Sequence, residues 1–196
     1  NAKDKGFFVT YNHPMWSLEN RENYLAYEGM DAMEICNYGC VAVGYQDYVP
    51  QIYDEMLMSG KRIFCIATDD NHNLGPVGTR KFDSFGGFTV IKADKLEYET
   101  VTKALTDGHF YASQGPEIHS LWFEDDTIHI TCSPADRVIL NTGVRRAACE
   151  YAENGKLLTE VSFRVNPKDE YVRITVIDEK GYPANTNAYF TDELFK

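Results

Sequence analysis

Two short stretches carry residue types suited to chemistry, and each follows an apolar run. Phe7-Phe8-Val9-Thr10-Tyr11 leads into Asn12-His13-Pro14, and Ile63-Phe64-Cys65-Ile66-Ala67 leads into Thr68-Asp69-Asp70-Asn71-His72. A neutral imidazole and a carboxylate are the usual protein ligands of Zn²⁺, Mn²⁺ or Fe. The Asp-x-His spacing offers both groups to one centre if the strand end stays extended, because alternate residues share a face. Pro14 disfavours the helical region for the residue before it, which predicts extended backbone at His13. Taken singly, a histidine before proline is a turn residue and an Asp-x-His in a loop is solvated surface or a cap. Placement of both after apolar strands sets beside those readings an equal alternative, metal binding or catalysis at the mouth formed by the carboxyl ends of a parallel sheet, with His13, Asp70 and His72 as the candidate groups.

The other polar candidates carry less. Glu34 falls within the run Ala32-Met33-Glu34-Ile35; facing inward it needs a partner, a metal or a proton, and facing outward it needs none. Arg80 and Lys81 could hold a phosphate or carboxylate, and Arg80 is the substrate-binding candidate, although exposed loop cations are usually only solvated. His109 follows Gly108 in a turn, while His119 and His129 sit in alternating segments, His129 on the same face as Thr127 and Thr131, which reads as surface. Cys36 and Cys40 are spaced C-x3-C with no second pair, and structural zinc needs four ligands, so the five cysteines read mostly as reduced, small hydrophobes. Phosphate-loop, dinucleotide-loop and nucleophile-elbow motifs are all absent.

The elements that must position these groups show two textures. Over residues 1–115, apolar runs alternate with stretches of helical period, as in β/α units on a parallel sheet. Strands are predicted at Phe7–Tyr11, Ala32–Ile35, Ile63–Ala67 and Phe88–Ile91, with helices over Ser17–Tyr27, over Asp47–Met58 and around Tyr98, Val101 and Leu105. The second helix has Val49, Ile52, Tyr53, Met56 and Leu57 on one face and Gly60 just past its end. Over residues 116–196 the period becomes two, broken by turn signals every eight to fourteen residues, which predicts a small β-sandwich. Asn154-Gly155 is the best hairpin signal, since a type I′ turn needs positive φ at both central positions.

Composition bounds the rest. The chain has 196 residues, 43% hydrophobic and 25% charged, with a net charge of −11. A chain this long removes roughly 70% of its unfolded surface from water and needs no staple. The acidic balance repels nucleic-acid backbones and anionic lipid, and no run approaches the roughly 20 apolar residues of a membrane span. Reduced-looking cysteines make the cytoplasm the expected location.

These residues also resemble a known family. Asn12-His13-Pro14 after a strand, the stretch from Asp31 to Asn37, Asp70-Asn71-His72-Asn73, Gly86-Gly87-Phe88, and Ala104-Leu105 through Phe110 to Ile118 are similar, in order and spacing, to the C-terminal half of PHP-domain (polymerase and histidinol phosphatase) proteins. The nearest likeness is to bacterial predicted metal-dependent phosphoesterases whose PHP domain is followed by a small β-sandwich. Tyr171-Val172-Arg173 through Asn187 resembles their final strands, so the likeness spans essentially the whole chain. It implies an α/β part followed by an all-β part: the C-terminal portion of a distorted (β/α)7 barrel, then the sandwich. It also implies His13, Asp70 and His72 as late ligands of a multinuclear centre of divalent Zn, Mn or Fe that hydrolyses a phosphorylated small molecule. Glu34 matches a recurring position outside the usual ligand set.

Family members begin with H-x-H after their first strand and place a Glu and another His before the position of His13, whereas this chain has no H-x-H. The resemblance therefore implies an incomplete metal shell and a chain inactive by itself. An expressed fragment is the favoured expectation, since Asn1-Ala2 reads as a cloning scar; a partner chain supplying the other half, or a homologue that has lost catalysis, are the alternatives. Half a barrel would expose a strand edge and an apolar face, which predicts that the chain either forms a homodimer through that face or rearranges. Two other functions stay open: a non-catalytic binding module whose β-sandwich recognises a carbohydrate or protein, favoured if Trp122 or tyrosines form one patch, and hydrolysis of a C–N bond by the same metal chemistry.

Overall fold

The computed structural model describes residues 2–196, which divide into two units, the first running to Ala112 and the second Ser113–Lys196. Each is built from a different kind of sheet.

In the first unit, β1 (Thr10–Tyr11), β2 (Ala32–Asn37) and β3 (Phe64–Thr68) form a parallel sheet in the order β1-β2-β3. All six residues of β2 are buried, as expected of a central strand covered on both faces. The first strand is shorter than the apolar run that predicts it: Phe7 is exposed, and the pairing with β2 is made by Thr10 and Tyr11. Helix α1 (Arg21–Ala26) starts at Asn20, whose side chain accepts the Glu22 and Asn23 N–H groups, and α2 (Tyr38–Ala42) is a single turn that follows β2 directly. Helix α3 (Pro50–Met58) begins with proline at its first turn and stops before Gly60, whose φ of 91° ends the helix without strain. It buries Tyr53, Met56 and Leu57, and the Tyr53 hydroxyl donates to the Ile63 carbonyl at 3.0 Å. Asp47, predicted to open this helix, lies outside it. Strand β4 (Phe88–Ile91), helix α4 (Tyr98–Thr106) and β5 (Phe110–Ser113) follow outside this three-stranded sheet, with Thr89 Oγ1 bonded to the Ala67 N–H and carbonyl at the margin of β3.

This overturns the expected (β/α)7 barrel portion. Strands β1, β2 and β3 form an open three-stranded parallel sheet, and the helices are short. Closing a barrel requires strand after strand at matched tilt and stagger. After β3 the chain instead runs through residues 69–87 with no helix or strand, and the next strand, β4, belongs to another sheet.

The second unit is antiparallel. Strands β6 (Ile118–Glu124), β7 (Thr127–Ala135) and β10 (Leu158–Arg164) form one sheet with β7 central. Strands β8 (Arg137–Thr142), β9 (Ala147–Tyr151), β11 (Tyr171–Ile177) and β12 (Pro183–Thr186) form part of another, in the order β12-β11-β8-β9, with β13 (Tyr189–Phe190) also on β11 and a short helix α5 (Thr191–Leu194) after it. Alternation is clean: Ile128, Ile130 and Cys132 of β7 and Val161 and Phe163 of β10 are buried, with more exposed residues between them. Asn154 and Gly155 hold φ of 53° and 74°, and Glu153 bridges Lys156 across them. The strands that this turn joins, β9 and β10, nevertheless lie in different sheets. No helix among the described residues is long and apolar enough to cross a membrane.

Candidate functional site

The carboxyl ends of the parallel strands open on a cleft of about 300 Å³. His13, Asp70 and His72 line it, with Trp16, Val43 and Leu74 and, at its base, Gly39 and Cys40. The three residues singled out in the sequence are thus brought together. Arg80 and Lys81 are exposed and do not line this cleft.

The loops that carry these side chains are held by acidic residues accepting backbone N–H groups. Glu34, 1% exposed on β2, faces inward and accepts the His13 N–H at 2.7 Å, the Asn37 amide at 2.9 Å and the Thr68 hydroxyl at 2.6 Å. Its three donors explain how a carboxylate is tolerated there. Asp47 is buried and accepts the N–H groups of Met15 and Trp16. Burial outweighs those bonds and raises its pKa above the ordinary value. Asp69 gathers the N–H groups of Phe85, Gly86 and Gly87 at 2.5–3.0 Å. Asp83 takes those of His72 at 2.7 Å and Leu74 at 3.1 Å; burial pushes its carboxyl up, and these bonds more than offset that, leaving its pKa lowered. Gly39 lets the strand-to-helix turn pass against this loop: a Cβ there would stand 2.7 Å from the Asp69 carbonyl and 2.8 Å from that of Asp70.

Two backbone expectations fail. His13 has φ of 35°, not an extended value, because its N–H is drawn onto Glu34 and its carbonyl accepts the Ser17 N–H, closing a turn that overrides the preference before proline. Asp70 has φ of 45°, so Asp70 and His72 do not continue β3 as an extended pair; the pull of Asp83 on the His72 and Leu74 N–H groups bends the loop.

The bend sets the chemistry of His72. Its Nδ1 lies 2.5 Å from the Asp70 carbonyl, which can only accept, so Nδ1 carries the proton and Nε2 presents a lone pair when the ring is neutral. His13 Nδ1 contacts Ser17 Oγ at 3.0 Å, and its ring meets Trp16 edge to face at 4.9 Å between centroids. Cys40 lines the cleft but is no nucleophile: burial first, then the Asp47 carboxylate, push its thiol up to about 12, and Cys36 is pushed equally far. All five cysteines are free thiols.

A divalent metal, implied by the family resemblance, does not fit the residues present. No group of three or more His, Cys, Asp or Glu side chains among the described residues is placed to hold a metal ion. One oxygen of Asp70 is engaged by the Asn37 amide at 3.1 Å.

Sequence reasoning missed Asn37, Asp47, Asp83 and the role of Trp16. Asn37 had a usable signal, a polar residue where an apolar strand passes into a helix. The other three had none in local pattern. In the second unit, Trp122 stacks on His129 at 4.9 Å and 9° on an outward face, and His129 Nδ1 contacts Ser162 Oγ at 2.7 Å.

Neither the protein-family models nor the curated proteins give a match. Among solved structures, the chain is similar to a two-domain protein from Bacteroides vulgatus described as containing a predicted PHP-like metal-dependent phosphoesterase. The identity is 17% and the TM-score 0.43, over 95% of this chain and 63% of the other. At that level the likeness decides neither fold nor activity.

Proposed function

We propose that this cleft is one side of a hydrolytic site for phosphoesters, and that the chain alone does not turn over substrate. The observation that carries this reading is the convergence of His13, Asp70 and His72 from the ends of two parallel strands on one cleft with an apolar lip. His72, with Nδ1 pinned, can accept a proton from an attacking water at Nε2. Trp16, Val43 and Leu74, each substantially exposed, would pack against the organic part of the ester. Transfer of a phosphoryl group also needs positive charge on the developing oxyanion. Asp70 cannot supply it, so completion of the site, including any metal, requires groups beyond these three residues.

The test is phenyl phosphate titrated into isotope-labelled protein, followed by the ring signals of His13 and His72, alongside a turnover assay with Mn²⁺ or Zn²⁺ added. Saturable shifts confined to the cleft with no turnover are expected. Absence of shifts at millimolar ligand would overturn the phosphoester reading. Turnover that disappears in His13→Ala would overturn the claim of inactivity and keep the site.

A second reading, a non-catalytic recognition role for the second unit, has one observation in its favour: the stacked Trp122–His129 pair, with Trp122 39% exposed.

A further inference from the structure

Asn37, fully buried between β2 and α2, uses its whole amide. Its Oδ1 accepts the Cys40 N–H at 3.0 Å, capping α2 and fixing which way the amide points. Nδ2 therefore has two protons to give, one to Glu34 Oε2 at 2.9 Å and one to Asp70 Oδ2 at 3.1 Å. Glu34 in turn holds the His13 N–H at 2.7 Å. One buried amide thus links the main chain of His13 to the carboxylate of Asp70. An amide suits the place because it accepts the Cys40 N–H and donates to both carboxylates, whereas a cation has no acceptor to offer and an acid would face two carboxylates. Both residues that it reaches have backbone in the left-handed region, which non-glycine residues hold only when their surroundings impose it.

We infer that Asn37 is a positioning residue of the cleft, orienting Asp70 directly and His13 through Glu34 so that both face the same space. The purpose of that arrangement rests on the hydrolytic reading above, whereas the linkage itself does not.

Asn37→Ser separates positioning from capping, since serine keeps an acceptor for the Cys40 N–H and loses both amide protons. Asn37→Ala loses both functions. The readouts are the ¹³C signal of the Asp70 carboxylate, the amide signal of His13 and the Tm of the full chain. Both variants should move the two signals, with the larger drop in Tm for Asn37→Ala. Unmoved signals in Asn37→Ser with a lowered Tm would reduce Asn37 to a structural cap and overturn the inference. Should Asn37→Ser fail to fold, Asp70→Ser in the exposed loop serves instead: the Asn37 Nδ2 signal must shift, and an unchanged signal overturns the linkage. Phenyl phosphate distinguishes the two levels. Binding to wild type about tenfold tighter than to Asn37→Ser is expected, by analogy with the loss of supporting hydrogen bonds around other sites. Equal binding to both overturns the positioning role, and no binding to wild type overturns the hydrolytic reading while the signals still decide the linkage.

Discussion

The two units hold their chains in place by different means. In the antiparallel unit, successive ladders β6-β7-β10 and β12-β11-β8-β9 satisfy backbone groups strand against strand. In the parallel unit, the strand ends release the chain into loops, and carboxylates take over as acceptors: Asp31 for Val9, Glu34 for His13, Asp47 for Met15 and Trp16, Asp69 for Phe85 to Gly87, and Asp83 for His72 and Leu74. The acidic excess of the chain is therefore partly internal scaffolding for the cleft, and not only a surface field. Backbone donors in irregular loops must be satisfied, and an ionised carboxylate is the strongest side-chain acceptor for them.

The largest effect should come from removing the most connected of these carboxylates. Glu34→Ala strands the His13 N–H, the Asn37 amide and the Thr68 hydroxyl in a buried place, a loss of about 3 kcal/mol or more. Leu140→Ala, fully buried in β8, should cost about 3 kcal/mol by cavity formation. Urea unfolding gives the magnitudes, and amide exchange tests the contrast. Protection should fall first in β1–β3 for Glu34→Ala and in β8 and β11 for Leu140→Ala; identical exchange patterns would mean that the difference in mechanism has no local consequence.

Next in size is a place where the antiparallel unit adopts the other unit's device. Asp169, nearly buried, accepts the Asn166 N–H at 2.8 Å and pairs with Arg146 through Nε at 2.8 Å and through Nη2. Burial pushes the Asp169 carboxyl up, but the Arg146 bonds and the Asn166 N–H outweigh it and leave the pKa lowered. Arg146→Ala leaves that carboxylate without its cation, at about 2 kcal/mol given the half-open position of the arginine. A depressed pKa means stability that is present above the ordinary value of 3.8 and lost as pH falls through the folded value, so acid unfolding should begin at higher pH in the variant. An unchanged acid midpoint would show that the Arg146 pair contributes nothing to it.

How much of this was legible follows from what each signal depends on. Convergence of His13, Asp70 and His72 could be read because apolar strands followed at once by polar residues place those residues at one end of a sheet. Glu34 was visible as a carboxylate in an apolar run, but its inward direction was not, since period-two burial fails for a strand covered on both faces. Asp47 was misread as the start of α3 because an acid before an amphipathic segment has the form of a helix entry, while its real contacts lie on residues 15 and 16. The barrel, which the family resemblance implied, is not formed, because neither a likeness of short motifs nor local alternation of strand and helix says whether the series continues to closure. Left-handed backbone at His13 and Asp70 is imposed by Glu34 and Asp83 from afar in sequence, and no local preference encodes it.

A smaller effect sharpens the comparison within the parallel unit. Asp47 and Asp83 both hold loops, yet burial leaves the first raised and backbone bonds leave the second lowered. For Asp47 the sign reverses: its contribution is fully present below the ordinary value of 3.8 and is lost as pH rises through the folded value. Asp47→Asn keeps an acceptor for the Met15 and Trp16 N–H groups without the charge. Its stability relative to wild type should improve as pH is raised from about 3 to 7. Asp83→Asn should show the opposite trend. Thermal unfolding across that range reads both, and parallel profiles would remove the distinction.

The smallest effect concerns the outward face of β6, β7 and β10. Trp122 lies opposite His129 and His129 opposite Ser162, so the stacked rings have the register of an ordinary cross-strand pair. Such pairs contribute roughly 0.2–1 kcal/mol. If that is all Trp122 does, Trp122→Ala should cost about 0.5 kcal/mol. A double-mutant cycle with His129→Ala should recover most of that cost as coupling, since the contact of His129 with Ser162 is lost in both His129 variants and cancels. A Trp122 substitution that leaves stability unchanged, together with quenching of its fluorescence by an oligosaccharide, would instead favour the recognition module. The antiparallel unit would then carry a binding surface of its own, and function would no longer sit only where carboxylates replace the ladder.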